Sequence, residues 1–225
     1  MRTTRSSGVL ATMHAMNPDG GPEAGLPPRE LAARLRARLA AVADPSLAPA
    51  MQAYMKSAMP FLGVPTPLRR KTMAEAMRGH ACKTAQALSE LVLLLWRASA
   101  HREERYAALD LLRMTAHRKL LTATLLPMAR ELLDGAKWWD LNDELSGRLL
   151  PRLLLESPAR LKPLLRAWSR GPDLWDRRAA MLAQRGLKGA DFDAVLFYDC
   201  ILPSVGDPTF GSEFFIRMGM GWALR

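Results

Sequence analysis

From Pro28 to its last residue the chain is written almost entirely in one pattern. Apolar residues recur at spacings of three and four, in stretches of about a dozen positions, and each stretch ends near a Gly or a Pro. The first stripe is Leu31, Leu35, Leu39 and Val42, behind a Pro27-Pro28 start with Glu30 in the first turn. Further stretches run over about 47–59, 67–79, 84–98, 102–116, 119–134, 139–155, 158–169, 173–186, 189–201 and 209–224. The breakers between them include Pro60, Gly63, Pro65, Gly135, Pro158, Gly171-Pro172, Pro203 and Gly206-Asp207-Pro208. About eleven short-linked helices follow, and no strand. Phe and Tyr together number nine, 6 and 3, and Val and Ile are sparse beside Leu, Ala, Met and Arg. That vocabulary excludes an all-β fold or a large parallel sheet. No apolar run approaches the roughly 18 residues of a membrane-spanning helix, and Leu91–Trp96 reads as a core helix segment.

The helices also repeat. Pairs start near 84, 119 and 158, a spacing of about 35 to 39 residues. Arg105-Tyr106-Ala107-Ala108, Arg177-Arg178-Ala179-Ala180 and Arg217-Met218-Gly219-Met220 each place Arg just before small residues on a second helix. Small residues let helices of successive repeats approach closely. A chance match in an Arg- and Ala-rich chain is the competing account. The expected fold is all-α: a HEAT-like α-solenoid of antiparallel helix pairs, whose second helices line one concave surface.

The formal charge is +10, with 32 basic and 22 acidic residues, and Arg outnumbers Lys 25 to 7. The sign points to an acidic partner, whether nucleic acid, an anionic membrane surface or an acidic protein; Arg offers a planar fork that grips phosphate with two bonds, and a merely solvated Arg-rich surface is the competing account. The excess is uneven. Residues 28–120 hold 16 basic and 7 acidic residues, a net of +9, whereas residues 121–225 hold 14 and 13, a net of +1. The front is read as the gripper, and the back must do something else.

Cys82 and Cys200 are 118 positions apart with no Cys or His at ligand spacing, and His14, His80, His101 and His117 form no metal motif. Reduced thiols in a cytosolic protein are expected, with no metal and no cofactor. Walker, GxGxxG and GxSxG signatures are absent.

Three spots on the second helices carry candidate chemistry: Lys137-Trp138-Trp139-Asp140-Leu141-Asn142-Asp143, Trp175-Asp176-Arg177-Arg178, and Gly221-Trp222. Taking Leu141, Arg177 and Arg217 as register marks, Trp139, Asp143, Arg178 and Trp222 fall within an arc of roughly 100° on equivalent helices. Each has an ordinary alternative. The tryptophans can be core, Asp143 can pair with Arg148 or cap a helix, Arg178 can simply bridge Asp143, and Asp140 can cap its own helix. Adjacent tryptophans point about 100° apart, however, so one of Trp138 and Trp139 should face the groove. Two aromatic faces, a carboxylate and a guanidinium suit the cleavage of a nucleoside glycosidic bond, whose transition state is a cationic sugar. A base that is already cationic leaves without a strong general acid.

The ordered set Tyr54-Met55-Lys56, Phe61-Leu62-Gly63, Thr66-Pro67, Arg69-Arg70, Trp138-Trp139-Asp140, Asp143, Trp175, Arg178-Ala179-Ala180 and Gly221-Trp222-Ala223-Leu224-Arg225 resembles the AlkD-like alkylpurine DNA glycosylases, from about residue 30 to the end. The resemblance implies a solenoid that holds duplex DNA in a concave basic groove. It also implies excision of N3- and N7-alkylated purines, in alkylation base-excision repair, without flipping the base into a pocket. By matching position it implies that Trp139 and Trp222 pack on the lesion deoxyribose. Asp143 would stabilise the oxocarbenium ion and position water, and Arg178 would hold a backbone phosphate. Tyr54, Lys56, Thr66, Arg69 and Arg70 would contact the backbone near the front, with Lys137 and Arg177 as further DNA contacts. The competing function is a non-catalytic helical module for damaged or branched DNA; a scaffold for an acidic protein is a third.

Two departures stand out. Pro65 replaces a polar residue expected before Thr66-Pro67. Family members continue for several helices beyond the Gly221–Arg225 segment, so residues 27–225 are read as a repeat domain lacking its closing helices, with the helix of Trp222 under-packed. Residues 1–26 are read as a flexible leader. Their two Arg and lack of acid up to Asn17 resemble a transit peptide, but a bacterial leader or a true start at Met13 or Met16 is preferred. The expected setting is a monomer in the bacterial cytoplasm, nucleoid-associated when bound to DNA.

Overall fold

The structure is a computed structural model that describes residues 25–225. The assigned leader therefore lies, up to residue 24, outside the described residues. Among the described residues there are twelve α-helices and no strand: α1 Pro28–Ala40, α2 Ala48–Met55, α3 Thr66–Ala76, α4 Ala85–Arg97, α5 Arg102–Arg113, α6 Leu126–Gly135, α7 Trp139–Glu144, α8 Leu150–Glu156, α9 Pro158–Arg170, α10 Leu174–Leu182, α11 Ala194–Ile201 and α12 Phe214–Ala223.

Local chemistry sets these bounds. Pro28 opens α1, where its missing N–H costs nothing, and Leu31, Leu35 and Leu39 bury one face. The Thr84 hydroxyl accepts from the Ala87 amide at 3.1 Å and starts α4. Asp173, Asp193 and Glu213 cap α10, α11 and α12 in the same way. α2 is shorter than its apolar pattern predicts, because Lys56 turns left-handed at φ 49° and stops it. The stretch 102–116 ends early and 119–134 starts late, with short 3₁₀ turns at Thr115–Leu120 and Ala123–Leu125 between α5 and α6.

The stretch 139–155 is interrupted by a π-helical turn at Leu145–Leu149, with the Leu150 amide bonding to Leu145 five residues back. Pro151 follows and has no amide hydrogen to offer, so a regular ladder would lapse here in any case. The Ser146 hydroxyl donates to the Asn142 carbonyl and braces the widened turn.

The helices predicted as second members of pairs pack in series, α5 on α7, α7 on α10 and α10 on α12, with α3 on α5 ahead of them. α1 lies on α4, α4 on α6, and α9 on α11. Small residues sit at the close approaches. Ala107, Ala108, Ala179 and Ala180 are buried, and a Cβ on Gly219 would meet the Arg178 side chain at 3.2 Å. One core runs from Leu31 to Cys200. A second, smaller one gathers Met181, Phe197, Ile201 and Ile216 around α12. Outward from it, Phe214 and Leu224 are 65% and 66% exposed.

The loop before α3 is tied down from below. The Glu103 carboxylate, fully buried, accepts from the amides of Leu62, Gly63 and Val64 at 2.9 to 3.1 Å. Gly63 is left-handed at φ 79°, and a Cβ there would lie 1.9 Å from the Asp44 carbonyl oxygen. This loop fixes where α3 begins, and hence where Thr66 and Arg70 stand.

Candidate active-site cleft

Trp138 precedes α7 in extended conformation and Trp139 opens it, so the two rings part. Trp138 turns inward and packs edge-on against Phe215, 5.2 Å between centroids, and against Trp175 at 5.9 Å. Among the described residues its buried indole N–H has no partner. Trp139 turns to the cleft. One turn on, Asp143 lies on the same face and is 9% exposed.

Arg178 on α10 meets Asp143 with a two-pronged bond, Nε to Oδ1 at 2.7 Å and Nη2 to Oδ2 at 2.8 Å. Its remaining nitrogen donates to the Phe215 carbonyl at the start of α12. The guanidinium is thereby shared by three helices. Its carbon lies 5.3 Å from the ring centre of Trp222, and Arg185 covers the same ring at 5.5 Å.

The four residues that the helical register brings together do share one place. Trp139, Asp143 and Trp222 line an open cleft of about 430 Å³ with Glu144, Arg148 and Arg185, while Arg178 is outside the lining, buried and bonded to Asp143. Each Asp143 oxygen receives one Arg178 N–H and keeps acceptor capacity toward the cleft. A second cavity of about 350 Å³ adjoins it through Trp139, Asp140 and Glu144, and reaches Tyr54, Thr66 and Arg70 at the front. Tyr54 is 77% exposed, and Lys56 stands beside it at the end of α2, outside the cavity lining.

Four expected roles need correction. Arg178 is 1% exposed and bonded to Asp143 and Phe215, so it braces the carboxylate instead of reaching a phosphate. Arg69 is buried on Asp110 at 2.8 Å, bonds Thr66, and lies over the Tyr106 ring at 4.8 Å; it is a structural link between α3 and α5. Arg177 is buried too, donating to the carbonyls of Gly171 and Pro203 and to Ser204, with Asp207 at 3.5 Å. Lys137 is bound to Asp173 at 2.9 Å and does not line the cleft with Trp139. Nor does Asp140 cap α7: its carboxylate takes the Arg102 fork and the Tyr106 hydroxyl. Burial, then the Asp140 charge, pushes the Tyr106 hydroxyl well above its ordinary range, so it stays a protonated donor. Burial works against the Arg102 charge, but Asp140 outweighs it and holds Arg102 protonated.

Sequence reasoning missed Glu144, Arg148 and Arg185. Arg185 follows α10 in an irregular segment, where helical register carries no information. Arg148 lies within the π turn, which displaces the phase expected from a regular helix, and Glu144 directly precedes it. Among the described residues no group of three or more His, Cys, Asp or Glu side chains is placed to hold a metal, and no helix is long and apolar enough to cross a membrane.

Serially packed helices around a tryptophan-walled carboxylate define the class: an all-α protein whose candidate site is an open cleft instead of a closed pocket. The chain belongs to the DNA alkylation repair enzyme family, whose family model matches residues 35–225. A solved structure described as a predicted DNA alkylation repair enzyme from Enterococcus faecalis aligns with a TM-score of 0.65 at 23% identity, covering 81% of each chain; at that identity the likeness speaks for the fold. No curated protein gives a significant match.

Proposed function

We propose that the protein is a DNA glycosylase that hydrolyses the N-glycosidic bond of cationic N3- and N7-alkylated purines in duplex DNA, without flipping the base, as a monomer and with no cofactor. The observation that carries this reading is Asp143, a carboxylate held by the Arg178 fork and open to a cleft between Trp139 and Trp222. Family membership in DNA alkylation repair supports the substrate class.

In this reading the helices form a HEAT-like solenoid whose concave basic face takes the duplex. Tyr54, Lys56, Thr66 and Arg70 contact the backbone at the front, in line with the cavity that joins three of them to Trp139. Trp139 and Trp222 pack on the deoxyribose. As the glycosidic bond breaks, its electron pair moves onto the base and cancels the charge of the alkylated ring. Positive charge then develops on the sugar, where the Asp143 carboxylate and the aromatic faces stabilise it. Water attacks the sugar carbon and passes its proton toward Asp143. The cationic base supplies its own leaving ability, so no general acid is required.

The test is release of N7-methylguanine from methylated duplex DNA. Asp143→Asn is expected to cut release about a hundred- to a thousandfold, with duplex binding and the circular dichroism spectrum kept. Undiminished release by a folded Asp143→Asn protein would sink the mechanism. The second reading, a non-catalytic module for damaged or branched DNA, draws on the same bridge, since Asp143 is already paired. It is chosen if the wild type binds duplex DNA but releases no base.

A further inference from the structure

We propose that a third cavity, next to the Asp143 cleft, is a phosphate subsite for the DNA strand that leaves that cleft. It has a volume of about 270 Å³ and is lined by Arg113, Arg118, Arg148 and Arg152. The four come from four different elements. Arg113 ends α5, Arg118 sits in the 3₁₀ turn Thr115–Leu120, Arg148 belongs to the π turn and Arg152 to α8. No carboxylate lines the cavity. The acid bonded to its arginines is Glu144, which binds Arg113 and lies 3.9 Å from Arg148. Arg118 and Arg152 are exposed and, among the described residues, have no carboxylate within ion-pairing distance.

Four guanidinium groups set against one carboxylate leave a local charge of +3. Like charges gathered in a concavity repel one another and focus a positive field, a cost that an anion offsets. The forked shape of guanidinium selects an oxyanion with several acceptor oxygens, which a phosphate supplies. Arg148 ties the subsite to the chemistry, because it lines both this cavity and the Asp143 cleft. A sugar in the cleft and a phosphate here therefore belong to one strand. Counting by sequence divides the feature, since Arg113 and Arg118 fall in residues 28–120 and Arg148 and Arg152 in residues 121–225, whose net is only +1.

This inference rests on the reading of the cleft as a DNA site, and the experiment separates the two. Binding of an undamaged duplex, measured by fluorescence anisotropy across a salt series, does not depend on base release. Arg118→Ala and Arg152→Ala are each expected to weaken binding about tenfold at physiological salt. Because both grip one phosphate, the double variant should lose less than the product of the two. Its salt slope should fall by about 0.9, the loss of one phosphate contact, and not by about 1.8, the loss of two. A duplex with single methylphosphonate substitutions should show one position that weakens the wild type and leaves the double variant unaffected.

Unchanged affinity and slope in the double variant would overturn the subsite alone, as would additive losses with the larger change in slope. If inorganic phosphate raises the Tm of the wild type but not of the double variant, while their duplex affinities match, the cavity holds a free ion and the strand assignment is wrong. A wild type that binds no duplex at all overturns the DNA reading of the cleft, and this inference with it.

Discussion

Arg178 makes the cleft rigid because its guanidinium has more N–H groups than one carboxylate can take. Two go to Asp143 and one to Phe215, so α7, α10 and the start of α12 are pinned at one point. Lysine would keep the charge but offers no fork and cannot hold both oxygens in one plane. Arg178→Lys is therefore expected to fold and to release N7-methylguanine about a hundredfold more slowly, through a carboxylate that is present but misplaced. Release at the wild-type rate would show that the brace is dispensable. The meeting of Trp139, Asp143, Arg178 and Trp222 was legible from helix register, since all four sit within or at the ends of regular helices. The use to which each arginine is put was not. Arg69, Arg70, Arg177 and Arg178 look alike in sequence, and only packing separates Arg70, exposed beside the front cavity, from three that are buried on partners.

At the scale of elements, periodicity and breakers located the helices well, and caps did the rest: Pro28, Thr84 and Asp173 stand where the starts were expected. The failures have local causes: Lys56 stops α2, a π turn interrupts 139–155, and segments such as Thr115–Leu120 and Gly189–Asp191 are too brief for α-helical hydrogen bonding to sustain itself and settle as 3₁₀ turns. Invisible too was the service that α5 renders to the loop ahead of α3. Glu103 looks like an ordinary first-turn acid, yet it is fully buried beneath three backbone amides. Glutamine there would turn an N–H₂ group toward amides that need an acceptor. Glu103→Gln is expected to cost about 3 kcal/mol, a fall in Tm of about 10 °C, readable by calorimetry. An unchanged Tm would mean that the loop holds without it.

Across the whole molecule, charge counted along the sequence misleads because most acids are spent internally. Asp134 and Asp176 go to Arg130, Asp193 to Lys162 and Asp199 to Arg166, while Arg148, Arg152 and Arg185 in the same half are exposed. Of these three exposed arginines, Arg148 and Arg185 line the cleft. Stability against acid is a property of the whole fold as well. His117 is buried; its Nδ1–H donates to the Leu111 carbonyl at 2.8 Å and its Nε2 accepts from the Cys82 amide at 3.1 Å. Burial holds its pKa below the ordinary 6.5, with the Leu111 bond acting weakly the other way. Below pH 6.5 the unfolded chain takes up a proton that the native state refuses. The stability from the neutral imidazole is therefore complete above that pH and is lost as pH falls beneath it, by at most about 1.4 kcal/mol per pH unit. Urea titrations should show that slope in the wild type and a flatter one in His117→Gln; equal slopes would place the acid sensitivity elsewhere. The two cores add a mechanical consequence. Trp139 stands on a helix rooted in the large core and Trp222 on one rooted in the small core, with α10 and α11 contributing buried side chains to both. The cleft is in effect a pair of jaws with separate foundations. The Arg178 guanidinium is the pin between them, so the distance between the two tryptophans is set by one side chain and not by either core.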